Sequence, residues 1–269
     1  MTSAELLPEV IAVALKAGRA ILEIYRSEDP GITLKADSSP LTLADRASHD
    51  IIINGLQSIS SYPLLSEEGS LIPYEERSNW KTFWLIDPLD GTKEFIKKNG
   101  EFTVNIALVH KGVPVMGVVY CPVQKKLYCG SEGSGSLMME PVGTDCIYGM
   151  SDLLAKAKKC PLPSDRKTFT VVASRSHVNR ETELYLDKLR EKYGEIQIVS
   201  KGSSLKLCMV AEGAADLYPR LGPTMEWDTA AAHSVVRYAG GTVARFDNGT
   251  PLCYNKKNLL NPHFIVSMQ

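Results

Sequence analysis

Two aspartates, Asp87 and Asp90, end an apolar run in the stretch WLIDPLDGTKEF. Pro88 between them has no N–H and a fixed φ, so the backbone bends there and the two carboxylates can converge on one point. Like charges held that close repel unless one is protonated or a cation lies between them. An all-oxygen donor set suits a hard cation, and few carboxylates with room for water favour Mg2+. A D-x-x-D at a strand end is equally what a solvated turn looks like, so the pair alone decides nothing. Three further features bear on it. LLSEE ends a second apolar run in Glu67 and Glu68. Gly91 and Thr92 follow Asp90 at a predicted helix start, whose unpaired N–H groups suit a phosphate. Asp228 opens the helical pattern of EWDTAAAHSVV, where an ordinary N-cap is the plain alternative. Together they place acids from both halves of the chain at one cleft. KGSSLKLC adds Ser203 and Lys206 one turn apart, and YPRL ends in Arg220; such groups could hold a second phosphate away from a metal.

The elements that must carry these residues follow from periodicity. Leu6, Leu7, Val10, Ile11, Ala14, Ala17, Ile21 and Ile24 repeat at helical spacing, which predicts a helix over 3–27. A second helix is predicted from about Leu41 to Ile59, with Ser39 and Pro40 as its start signal. YPLLSEE and FWLID read as short strands, and FTVNIALVH and VPVMGVVYCPV as longer ones. Turn signals at HKG, VQKK and GSEGSGS then predict an antiparallel meander over 100–140. The second half alternates strand and helix from FTVVAS to GTVARF, an α/β pattern. The boundary falls in 150–168, where the lysines of AKAKKC read as a solvated helix face.

Thirty basic against 31 acidic residues give a net charge near −1, which argues against a general nucleic-acid or membrane-surface binder. No stretch is apolar enough to span a membrane and no signal-peptide pattern opens the chain, so a cytoplasmic enzyme is expected. The six cysteines are scattered without a C-x-x-C pair and read as buried free thiols. His49, His110, His233 and His263 show no ligand spacing and read as structural or surface residues.

SEEGS, WLIDPLDGTKEF, NGEFTVNIALV and EWDTAAAH resemble the inositol monophosphatase superfamily of metal-dependent phosphatases, which shares D-P-[IL]-D-G-T and a later W-D. LDGTKEF with GEFTVNIAL is most similar to its CysQ branch, the 3'(2'),5'-bisphosphate nucleotidases. The resemblance implies a sugar-phosphatase fold, a layered α/β sandwich of two lobes: an α+β lobe over 1–155 and an α/β lobe over 156–269. It also implies that Glu67, Asp87, Asp90, Asp228 and the carbonyl of Leu89 hold two or three Mg2+ ions. Asp45, in SPLTLAD, would act with Thr92 to orient and deprotonate the attacking water, and Glu67 would join them in catalysis. Leu89, Asp90, Gly91, Thr92 and Asp228 would line the reacting phosphate. Ser203, Lys206 and Arg220 would contact the nucleotide's other phosphate and ribose, and His177 would lie near the base or ribose. A helix-surface aspartate and a loop histidine are the plain alternatives for Asp45 and His177. The implied reaction is hydrolysis of 3'-phosphoadenosine 5'-phosphate to AMP and phosphate, with Li+ inhibition. An inositol or sugar phosphate is the alternative substrate. A non-catalytic metal or nucleotide sensor is the alternative of another class, disfavoured by the presence of both Asp45 and Thr92. Monomer and homodimer stay open.

Overall fold

A strand that is apolar at every position is stable only when both of its faces are covered, and the run 83–86 has that pattern. The computed structural model describes residues 3–27, 29–34, 40–144, 148–173 and 179–268. In chain order the first half contains α1 (Ser3–Tyr25), the short pair β1 (Thr33–Leu34) and β2 (Pro40–Leu41), α2 (Leu43–Ile59), β3 (Leu64–Ser66), α3 (Tyr74–Arg77), β4 (Thr82–Asp90), α4 (Thr92–Ile96), β5 (Thr103–His110), β6 (Val113–Cys121), β7 (Lys126–Ser131) and β8 (Gly135–Met139). The second half contains α5 (Met150–Lys156), β9 (Lys158–Lys159), β10 (Phe169–Ala173), α6 (Arg180–Tyr193), β11 (Ile196–Ser200), α7 (Leu205–Ala211), β12 (Leu217–Arg220), α8 (Glu226–Tyr238), β13 (Gly241–Arg245) and β14 (Phe264–Met268).

Seven strands in the order β3-β4-β5-β6-β7-β8-β9 form the first sheet, antiparallel except for the parallel β3–β4 pair. The second sheet has the order β11-β10-β12-β14-β13, parallel across β11, β10 and β12 and antiparallel beyond. Trp84 and Ile86 of β4 point to the side of α1 and α2, while Phe83 and Leu85 point to the side of α7 and α8. Beyond α7 and α8 lies the second sheet, and α6 covers its outer face through Leu186 and Leu189 against Val171 and Leu217. The result is five alternating layers of helix and sheet, the layered sandwich expected.

The middle helical layer belongs to both sheets. Leu65, Phe83 and Val119 of the first half share one core with Val172, Ala230 and Val266 of the second. α8 sits close against the first sheet because Gly117 and Gly130, directly paired on β6 and β7, leave room for its backbone. A Cβ on Gly117 would stand 2.1 Å from the carbonyl oxygen of Ala231. Ala230, Ala231 and Ala232 supply the matching small face of the helix, so close packing seats the helix that carries Asp228.

Two expectations need correction, and one plain alternative falls. α2 begins at Leu43 and not near Leu41, because the Thr42 hydroxyl caps it while Pro40–Leu41 pair with Thr33–Leu34. The lysines of AKAKKC are not one helix face: α5 ends at Lys156, and Lys158–Lys159 add an edge strand to β8. Asp228 is not an N-cap; Met225 holds that position and Asp228 is third in the helix. Cys121, Cys129, Cys160 and Cys208 are the buried free thiols expected, Cys253 is exposed against that expectation, and Cys146 lies outside the described residues. No described helix is long and apolar enough to cross a membrane.

Candidate active site

β4 ends in a bulge. Asp87 pairs with Asn105 and Asp90 with Thr103, so Pro88 and Leu89 together face the single residue Val104. Proline is tolerated at such a point because no ladder hydrogen bond is lost there. The bend is held twice: Leu89 N–H donates to Asp87 Oδ1 at 3.1 Å, and Ser48 Oγ donates to the carbonyl of Pro88 at 2.7 Å. The Leu89 side chain is buried in the first core, so only its backbone is at issue in the site. Gly91 follows at φ +96°, a left-handed conformation that glycine adopts without steric cost, and becomes the N-cap of α4.

The bulge brings Asp87 beside acids from two other elements. One carboxylate oxygen each from Glu67, Asp87 and Asp228 lies within 4.8 Å of the others. Glu67 comes from the end of β3, where its N–H donates to the Ile86 carbonyl at 3.1 Å. Asp228 comes from the first turn of α8, where its Oδ2 accepts the Met225 N–H at 2.9 Å. Asp87 is only 1 % exposed, and burial together with the charges of Glu67, Asp90, Asp228 and Asp45 pushes its carboxyl well above the usual range. Burial and the neighbouring Asp90 push Asp228 up likewise. A divalent cation among these oxygens would remove that repulsion, and the donor set is the one a hard ion takes. Asp90 stands beside this trio, outside its closest spacing, with Oδ2 turned to Ser203 and Ser204.

Asp45 and Thr92 do meet: Thr92 Oγ1 donates to Asp45 Oδ1 at 3.1 Å. The other oxygen, Oδ2, accepts from Thr42 N at 2.7 Å and Thr42 Oγ1 at 2.6 Å, so Asp45 also completes the capping box of α2. Burial raises its carboxyl, against those hydrogen bonds. On the same face of α2, Ser48 reaches Pro88 and His49 Nδ1 lies 2.9 Å from Ser66 Oγ, next to Glu67. One helix face therefore touches both SEEGS and WLIDPLDGTKEF.

A cleft of about 260 Å³ opens from Asp90, Gly91 and Asp228. Lys206 and Arg220 line it as the sequence suggested, and Lys93, Lys97 and Lys201 add positive charge that the motif reading missed. Lys206 is nearly buried, and that burial, joined by the charge of Arg220, lowers its ammonium to about 8 against the pull of Asp90. Arg220 donates to the Pro223 carbonyl at 2.6 Å while its buried Nε has no partner among the described residues. Ser203 also lines the cleft, with its hydroxyl committed to Asp90. His177 lies outside the described residues. Ser204, Thr103 and Asn105 were also missed. For Thr103 and Asn105 the signal was the polar pair at i, i+2 within the buried strand FTVNIALV.

Comparison with known proteins gives one family. The family model described as the inositol monophosphatase family matches residues 3–267. The 3'(2'),5'-bisphosphate nucleotidase CysQ of Shigella flexneri is 46% identical over 98% of this chain and 100% of its own length. Its counterpart in Escherichia coli K12 is 45% identical over the same shares. A crystal structure of CysQ from Bacteroides thetaiotaomicron, 49% identical, superposes with a TM-score of 0.89 over 97% of this chain and 96% of that one. The extragenic suppressor protein suhB of Bartonella henselae, 26% identical, gives a TM-score of 0.74. The chain belongs to the inositol monophosphatase family, whose members are generally metal-dependent.

Proposed function

We propose that this protein is a Mg2+-dependent phosphomonoesterase that releases the 3'-phosphate of 3'-phosphoadenosine 5'-phosphate, giving AMP and phosphate. The observation that carries the reading is the convergence of Glu67, Asp87 and Asp228, the last of which also lines a cleft with Lys93, Lys97, Lys201, Lys206 and Arg220. Full-length relatives at 45–46% identity bear the matching activity in their names.

Glu67, Asp87, Asp90, Asp228 and the carbonyl of Leu89 would hold two or three Mg2+ ions, which supply charge neutralisation at the phosphate oxygens and a more acidic water. The chain's own part is to position and to move a proton. Thr92 accepts the water's proton at Oγ1 and passes its own to Asp45 Oδ1, to which it already donates. Asp45 is suited to receive it, because burial has raised its proton affinity while Thr42 keeps the other oxygen occupied. The N–H groups of Gly91 and Thr92, at the start of α4, face the phosphate. A bisphosphate needs a second anion site, and Lys206 with Arg220, supported by Lys93 and Lys201, would supply one in the same cleft. A phosphate ester of a neutral polyol would leave that site unused.

The test is phosphate release from 3'-phosphoadenosine 5'-phosphate and from inositol 1-phosphate at equal enzyme, each with Mg2+ and with EDTA. The reading expects strong preference for the nucleotide and no turnover in EDTA. Turnover of the inositol ester alone would replace the substrate, and equal turnover in EDTA would remove the metal.

A further inference from the structure

Asp90 is held from the opposite side of the cleft. Its Oδ2 accepts from Ser203 Oγ at 2.6 Å, Ser204 N at 2.7 Å and Ser204 Oγ at 2.8 Å. Its Oδ1 has no hydrogen-bond donor among the described residues. Behind each serine stands a residue of β5. Asn105 Nδ2 donates to Ser204 Oγ at 2.8 Å, and Thr103 Oγ1 lies 2.5 Å from Ser203 Oγ. The direction of each contact follows from proton counting. A carboxylate only accepts, so Ser203 spends its single proton on Asp90, and the single proton of Thr103 is shared between Ser203 Oγ and Asn105 Oδ1 at 3.1 Å. An amide Nδ2 only donates, so Ser204 receives from Asn105 and keeps its own proton for Asp90 or for the carbonyl of Asp228, also at 2.8 Å.

Two further facts give this arrangement weight. Thr103 and Asn105 are 0 % and 1 % exposed and share a strand face with Ala107 and Val109, an apolar core position. Polar side chains there cost stability unless partnered, and the serines are their partners. Ser203 is also held at φ +55°, where a residue with a Cβ is disfavoured and glycine is not.

We infer that Ser203 and Ser204 are positioning residues for the cation site, acting through Asp90. The two-rung ladder from β5 occupies one oxygen of Asp90 and leaves the other as its single ligand atom. Ser204 Oγ also spans Asp90 and the backbone of Asp228, joining an acid at a strand end to one at a helix start. The inference rests on Asp90 being a cation ligand, as proposed above.

The test is calorimetric titration of Mg2+ into substrate-free wild type, Ser203→Gly, Ser204→Ala and Asp90→Asn, with a melting curve of each in EDTA. Ser203→Gly removes the hydroxyl and the left-handed strain together, so a purely structural serine predicts an unchanged or higher melting temperature and unchanged Mg2+ affinity. The ladder predicts that same melting behaviour with Mg2+ affinity about 10- to 100-fold weaker, and a loss of similar size in Ser204→Ala. Wild-type affinity in folded Ser203→Gly overturns the inference, and that variant decides alone if Ser204→Ala does not fold. If wild type fails to bind Mg2+, or Asp90→Asn binds as wild type does, the cation reading of Asp90 falls first and takes this inference with it.

Discussion

Glu226 and Asp228 stand two residues apart in the first turn of one helix, and they do opposite things. Glu226 is fully buried and fully answered: Asn255 N–H donates to Oε2 at 2.6 Å, while Lys256 donates to Oε1 through both its backbone N–H and its ammonium. It pins the 255–257 segment, which Arg77 grips from the other side through Asn255 Oδ1 and two carbonyls. Asp228 has one backbone N–H on Oδ2 and otherwise meets the charges of Asp90 and Glu67, eased by Arg220 and Lys206. Burial raises both carboxyls, but for Glu226 the neighbours lower it and for Asp228 the nearest acid raises it further. A buried acid with donors around it is structure. A partly buried acid facing acids is the arrangement the proposed cation site requires.

Neutralising each acid separates the two roles most sharply. Asp228→Asn should weaken Mg2+ binding by more than the roughly 100-fold that loss of an outer-shell partner costs, with turnover lost alongside. Because one of the mutually repelling charges is gone, its melting temperature in EDTA should rise, by about 1 kcal/mol or roughly 2–4 °C. Glu226→Gln should do the reverse. It leaves Lys256 without its counter-charge, lowers stability by about 2 kcal/mol, and keeps Mg2+ affinity within about threefold of wild type. A Glu226→Gln protein that melts normally but fails to bind Mg2+ would erase the distinction. Between these lies Asp45→Asn, which should cut kcat by roughly 100- to 10,000-fold with Mg2+ affinity nearly unchanged, measured by phosphate release at saturating metal.

The same comparison shows what could be read from residue types. The bulge at Pro88 and the acids around it were legible because proline and charge inside an apolar run conflict with an ordinary strand. The helical layer was legible from period, but its sharing between both sheets was not, because it depends on Gly117 and Gly130 meeting Ala231 and Ser234 across distant sequence. Asp228 could be placed near a helix start, yet its true position three residues in depended on Met225, which carries no capping signal of its own. Asp45 stood out only through family likeness, since an acid in the first turn of an amphipathic helix is common. Ser204 and Asn105 escaped because each looks like an ordinary polar residue until strand and turn are brought together. Nothing in Glu226 distinguished it from Asp228 before Lys256 and Asn255 were seen against it.

Metal removal gives a smaller effect that tests the cluster as a whole. At Mg2+ near 100 times its Kd, binding adds about 2.7 kcal/mol, so EDTA should lower the wild-type melting temperature by roughly 5–10 °C. Asp228→Asn should show almost no such difference, and a full shift in that variant would move the cation elsewhere. A pH effect unrelated to the metal concerns His233, further along α8. Burial lowers its imidazole to about 3, with Nδ1 2.9 Å from the Tyr254 hydroxyl. Its folded pKa lies below the unfolded value, so its contribution is complete above about pH 6.5 and is lost as pH falls toward 3. The slope is about 1.4 kcal/mol per pH unit. Unfolding free energies from denaturant titration between pH 6.5 and 5 should show that slope in wild type and lose it in His233→Gln, without change in Mg2+ affinity.

The central claim is that Asp87, more deeply buried than Glu67, Asp90 or Asp228 beside it, is there to bind a cation. Isothermal titration of Mg2+ into the substrate-free protein and into Asp87→Asn tests it directly. The account predicts saturable binding to wild type and none measurable in Asp87→Asn, whose EDTA melting temperature is at or above that of wild type. Wild-type Mg2+ affinity in a folded Asp87→Asn protein would contradict it.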